Sequence, residues 1–180
     1  MESAYSALAR DEISDIIKRR DAVAGYVAAP DAWVTLAGAL PAADLRHLSS
    51  RCSDEANRRH RFVMRIVSRS GRVALSAGSS RARNLQISSG GQPDGARLTI
   101  LTGNIDALVA ATSPLRYVCR SSQGCAKPPF VDVIELTLSA ESPGGPGGNW
   151  TAELTAVVAV TGNDQMKQDH TIHDDLLSIF

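Results

Sequence analysis

Two long segments in the last third of the chain alternate between apolar and polar positions. Phe130 to Ala140 places Ile134, Leu136 and Leu138 on one face of a first strand, and Trp150 to Thr161 places Trp150, Ala152, Leu154, Ala156, Val158 and Val160 on one face of a second. Side chains of a strand point alternately to its two faces, so each segment predicts a strand with one apolar face. The Gly- and Pro-rich stretch Glu141 to Asn149 between them predicts the turn of an antiparallel pair over a core. Leu136, Leu138, Leu154 and Val158 are then expected to be buried.

Shorter signals of the same kind precede this pair. Phe62 to Ser68 and Arg72 to Ala77 predict strands, with Arg69-Ser70-Gly71 as a hairpin turn. Leu85 to Ile87, Arg97 to Thr102 and Leu115 to Cys119 predict three more, and Asn104 is placed to cap a short helix from Ile105 to Ala111. The first third reads differently. Residues 3–20 have helical spacing and end in Lys18, Arg19 and Arg20, where positive charge suits a helix C-terminus. Asp21 to Ala29 reads as an alanine-rich connector, and Asp31 as the cap of a helix over Ala32 to Leu40.

The sum is a mainly β chain, a jelly roll or β-sandwich of about seven to eight antiparallel strands with a helical N-terminal segment. Residues 1–57 are expected to form the helical segment or arm, 58–162 the β body and 163–180 a polar tail. The 180 residues suffice for one domain with a substantial core, and a hydrophobic content of 43% suits a folded protein. No apolar run is long enough to span a membrane, and no basic stretch followed by an apolar one opens the sequence, so synthesis in a cytosol is expected.

Charge adds an asymmetry. Residues 51–97 hold ten Lys/Arg against three Asp/Glu, whereas residues 129–180 hold one against eight. Copies of such a chain could pair positive patch to negative patch, although both sets could equally sit on solvated faces. The densest basic cluster is Arg58, Arg59, His60 and Arg61, and the second is Lys18, Arg19 and Arg20. These seven are the candidate phosphate contacts. Aromatic residues make up only 4%, which gives little support for base stacking on a sheet face.

Signals for catalysis are weak. No serine sits in Gly-x-Ser-x-Gly, no pair of carboxylates stands out, and the glycines at 144, 145, 147 and 148 match no phosphate-binding loop. No catalytic residue, cofactor or metal is assigned, and the chain is not expected to be an enzyme. His170 and His173, followed by Asp174 and Asp175, are the only cluster of ligand types, in what reads as a solvated tail. Cys52, Cys119 and Cys125 make an odd count that argues against a disulfide framework; free thiols are expected, with a Cys119–Cys125 bridge as the alternative. The terminal Asp174-Asp-Leu-Leu-Ser-Ile-Phe180 reads as a linear docking motif or as a packed or subunit-bridging C-terminal arm.

From residue 58 to 162 the order of features resembles that of small icosahedral virus coat proteins of the tymovirus kind. Arg59-His60 precedes the strand from Phe62, and Gly90-Gly91-Gln92 precedes another. Ser113-Pro114-Leu115 leads into a strand ending at Cys119, and the final strand pair brackets a proline-containing loop. Each motif is three residues or fewer. The middle is richer in arginine than the family, proline is sparser, and residues 1–50 read as more helical than its N-terminal arm. The resemblance implies a jelly-roll subunit without an active site, made in a host cytoplasm and residing in the virion. Its partners would be further copies of itself and packaged RNA, with polyamines neutralising the remaining phosphate charge. The alternative is a monomeric or dimeric β-sandwich serving as a binding or regulatory module.

Overall fold

The computed structural model describes residues 24–40, 61–79, 84–140 and 151–162. Among them the chain forms nine strands and one α-helix. The strands are β1 (Ala24–Ala28), β2 (Val34–Leu36), β3 (Phe62–Ser68), β4 (Arg72–Ala74), β5 (Leu85–Ser89), β6 (Leu98–Gly103), β7 (Leu115–Val118), β8 (Phe130–Ala140) and β9 (Thr151–Val160). Helix α1 (Ile105–Thr112) separates β6 from β7. Six strands form one sheet in the order β1-β9-β8-β3-β6-β5, and three form a second in the order β2-β7-β4. The expected mainly β architecture is present, as two sheets that do not close into a barrel.

The long C-terminal pair forms as its alternation requires. β8 and β9 run antiparallel, with Leu136 opposite Leu154 and Leu138 opposite Ala152. Ile134, Leu136, Leu138, Ala152, Ala156, Val158 and Val160 are all buried, and Leu154 is partly buried against the same cluster. β3 occupies the other edge of β8, setting Ile66 against Leu136 and Met64 against Leu138. One apolar cluster joins these residues to Leu36, Val73, Leu115 and Tyr117 of the smaller sheet and to Ile105, Leu108 and Val109 of α1. The core therefore lies between the sheets, and burying these side chains is the main favourable term in folding.

Helix α1 carries the chain from one sheet to the other. The Asn104 side chain accepts a hydrogen bond from the Ala107 amide at 2.9 Å, the N-cap that the sequence predicts. Six of its residues are buried, because the helix fills the space beside the core instead of lying on the surface.

Three expectations are corrected. First, Ala24–Ala28 is a strand rather than a connector, and it runs parallel to β9, so the strands are not all antiparallel. Second, Val34–Leu36 is a strand within what reads as a helix over Ala32 to Leu40. Asp31 caps no helix there: its φ is 61° and its carboxylate accepts bonds from Ser121. The sheet pairings of β1 and β2 outweigh the helical preference of the alanines, which Gly25, Val27, Val34 and Thr35 already weaken. The strands of 24–36 thus belong to the β body and not to an arm. The helix expected over residues 3–20 lies outside the described residues, as do the basic cluster 58–60 and the tail from 163 onward.

Third, Arg69-Ser70-Gly71 is not a hairpin turn. Both edges of β3 are already taken by β6 and β8, so the chain leaves that sheet at Ser68 and enters the other at Arg72. A β-carbon on Gly71 would overlap the Tyr117 ring, so the corner needs a residue without one.

Candidate nucleic-acid interface

Of the seven basic residues singled out from the sequence, the described structure places one. Arg61 is exposed immediately before β3. Lys18, Arg19, Arg20, Arg58, Arg59 and His60 lie outside the described residues. Three other cations are tied into the scaffold. Arg72 donates twice to the Gly95 carbonyl, at 3.0 and 2.8 Å, and lies 3.6 Å from the Asp94 carboxylate. Arg97 donates to the carbonyls of Gln123 and Gly124 at 3.4 and 3.3 Å. Arg69 faces Glu135 at 3.4 Å.

The most enclosed charged group is Asp132, only 1% exposed in the middle of an apolar strand face. Its carboxylate accepts from the Ser68 hydroxyl at 2.8 Å, the Ser70 amide at 3.1 Å, the Gly71 amide at 2.7 Å, the Tyr117 hydroxyl at 2.8 Å and its neighbour's amide, Val133 N, at 2.9 Å. A buried carboxylate is tolerated when its lone pairs are met in this way. Burial first, then the hydrogen bond to Asp132, push the Tyr117 phenol well above the ordinary tyrosine range. Every donor comes from the sheet-crossing corner, from the facing sheet or from the adjacent amide, so the group pins the two sheets together. The signal for it was parity: Asp132 shares the inward face with Ile134, Leu136 and Leu138.

The three-stranded sheet carries a different grouping. β2 pairs with β7 so that Val34 lies opposite Tyr117 and Thr35 opposite Arg116. Carried one residue back, this register brings Trp33 level with Val118, between Arg116 and Arg120. The guanidinium carbon of Arg116 lies 5.0 Å from the centroid of a Trp33 ring and that of Arg120 5.8 Å, both within cation–π range. Neither arginine has an ion-pair partner within 4 Å among the described residues. The Nε of Arg120 is buried and has no hydrogen-bond partner among the described residues.

The loop that follows holds this group in place. Ser121–Gln123 forms a turn of 3₁₀ helix, Gly124 takes a left-handed conformation with φ of 74°, and the Cys125 amide returns to the Arg120 carbonyl at 3.4 Å. That reversal brings the Cα atoms of Cys119 and Cys125 to 5.7 Å, and a disulfide joins them. The expectation of free thiols is corrected for these two. Asp31 anchors the near side, accepting from the Ser121 amide at 2.9 Å and its hydroxyl at 2.8 Å. Those bonds, the amide's first, hold its carboxyl below the usual carboxylate range, and the Arg120 charge adds to the effect. Sequence reading missed the grouping because residues 31–33 and 116–125 meet only through the β2–β7 pairing.

Among the described residues no group of three His, Cys, Asp or Glu side chains could hold a metal ion, and no helix is long and apolar enough to cross a membrane. His170 and His173 lie outside the described residues. No protein-family model, no curated protein and no solved structure matches the chain.

Proposed function

We propose that this chain is a structural coat subunit that self-assembles into a closed icosahedral shell around RNA. The observation that carries the reading is an apolar strip on the outer face of the six-stranded sheet. Val27 of β1 and Val131 of β8 are 57% and 61% exposed, and both lie beside Ala159 of β9 in the sheet register. Half-buried Val133 and Val157 continue the strip by one step along the strands. A second copy laid over it would remove that surface from water, and repetition by symmetry closes a shell. The resemblance to tymovirus-like coat proteins supports the same reading, as does the uneven charge of the chain. The finer form of the proposal is a jelly-roll subunit. Two packed sheets with alternating inward faces favour it, whereas the parallel β1–β9 pair stands outside the antiparallel pattern of two Greek keys.

The test is light scattering with negative-stain electron microscopy on the purified full-length chain. Uniform closed particles, empty or filled with RNA, are expected. A monomer or dimer that stays so when RNA is added would overturn the shell. The second reading, a β-sandwich binding module, then takes its place. It is favoured by the Arg116–Trp33–Arg120 grouping, whose arginines have no ion-pair partner among the described residues.

A further inference from the structure

We propose that Arg116, Arg120 and Trp33 form a binding site for the phosphodiester backbone of single-stranded nucleic acid. The site differs from the basic clusters picked out of the sequence. It deepens the reading of this face as a binding surface and holds whether or not copies of the chain form a shell.

Three observations carry it. The first is an unmet donor. The buried Nε of Arg120 has no partner among the described groups. A buried N–H of a charged group left without an acceptor costs free energy, and native proteins rarely leave one so; the half-buried Arg120 side chain gains if it turns its fork toward an incoming acceptor. The second is charge. Arg116, Arg120 and Lys127 fall in a stretch, Ala107 to Val131, that contains no Asp or Glu. The nearby carboxylate, Asp31, keeps its negative charge beside Arg120, so these three cations face one anion. The local field is therefore positive although the whole chain is neutral.

The third is the pairing of planar groups. Guanidinium presents a rigid fork of donors that matches phosphate oxygens two at a time. An indole in contact with both forks restricts their rotamers, so less entropy is lost when phosphate arrives. Arginine and aromatic planes together also offer stacking surfaces to unpaired bases, the combination found in sequence-tolerant single-strand readers. Arg116 lies in β7 and Arg120 two residues beyond its end, and both guanidinium groups come to the one Trp33 ring, so the two cations offer neighbouring positions for phosphate oxygens.

The test uses the full-length protein, freed of bound nucleic acid at high salt, and a fluorescein-labelled oligouridylate read by anisotropy across a salt series. Wild type is compared with the double variant Arg116→Gln/Arg120→Gln and with Arg65→Gln, an exposed arginine on the other sheet. The double variant is expected to bind at least about tenfold more weakly. Its salt slope should become shallower by about 1.4, or about 0.7 for each phosphate left without its arginine. Arg65→Gln should match wild type. An unchanged affinity and slope in a folded double variant would overturn the site.

A second measurement does not depend on the double variant folding. In the Trp150→Phe background Trp33 is the sole tryptophan, and its emission should change as the oligonucleotide saturates. Binding with no change in emission counts against the site. Displacement of the RNA by polyglutamate at equal charge would instead assign it to acidic peptides. Scattering on the same samples follows assembly separately: absence of particles with the salt effect intact touches only the shell.

Discussion

The Tyr117 hydroxyl donates to the Asp132 carboxylate at 2.8 Å, joining the central strand of the smaller sheet to β8 of the larger one. Both residues are buried. Tyr117→Phe removes one of five donors and leaves the carboxylate otherwise satisfied, so the expected loss is about 1.5 kcal/mol, the value typical of a hydrogen bond to a charged group. Urea unfolding at neutral pH measures it.

The same bond has a signature at high pH. The Tyr117 phenol is held above its ordinary value of 10.0 in the folded chain. Above that pH the unfolded chain ionises this tyrosine and the folded chain does not. Stability is therefore complete below about pH 10 and falls as pH rises, by up to about 1.4 kcal/mol per pH unit for this one proton. Tyr117→Phe should remove that component of the slope, as seen by comparing the unfolding free energies of the two proteins between pH 9 and about 11.

Gly71→Ala should be more damaging than a single methyl suggests. The added carbon would overlap the Tyr117 ring, and moving the ring breaks its bond to Asp132. Overpacking of this kind costs about 1–3 kcal/mol before the hydrogen bond is counted. Thermal unfolding should show a loss larger than that of Tyr117→Phe; an equal or smaller loss would mean that the corner gives way easily.

Reducing the Cys119–Cys125 disulfide opens a short loop, for which chain entropy gives about 2 kcal/mol. Melting with and without reductant should show a shift of that size. Thiol counting in denaturant should find one reactive group before reduction and three after, since Cys52 is the remaining cysteine.

Val131→Lys places a charge on the exposed strip. Folding stability should change by less than about 0.5 kcal/mol, as for most surface substitutions. Particle formation should be abolished, because a lysine buried at a subunit contact has no partner there. Particles from a Val131→Lys protein would move the contact to another face.

Legibility in the sequence followed the range of the forces involved. β3 was readable to the residue, because Phe62 to Ser68 carries its own alternation. The Asn104 cap was readable for the same reason: cap, first turn and apolar run are contiguous. β1 was not, since Ala24–Ala28 has little preference of its own and becomes a strand only beside β9. The corner at Ser70 and Gly71 looked like a hairpin because Asp132, which holds it, lies 62 and 61 positions away from them. The Arg116–Trp33–Arg120 grouping was hidden in the same manner, its parts being joined by a pairing that no local pattern announces.

The parallel contact between β1 and β9 sets a schedule for the growing polypeptide. On a ribosome, Ala24–Ala28 emerges among the first of the described strands, yet the strand beside which it lies is made last. Until Val160 has cleared the exit tunnel, one edge of the larger sheet has no neighbour and its apolar residues face solvent. Completion of the sheet thus waits on the last of the described strands, and is slow by the measure of its distant pairings. Conditions that delay aggregation of nascent chains should raise the yield of this protein more than conditions that stabilise its finished form.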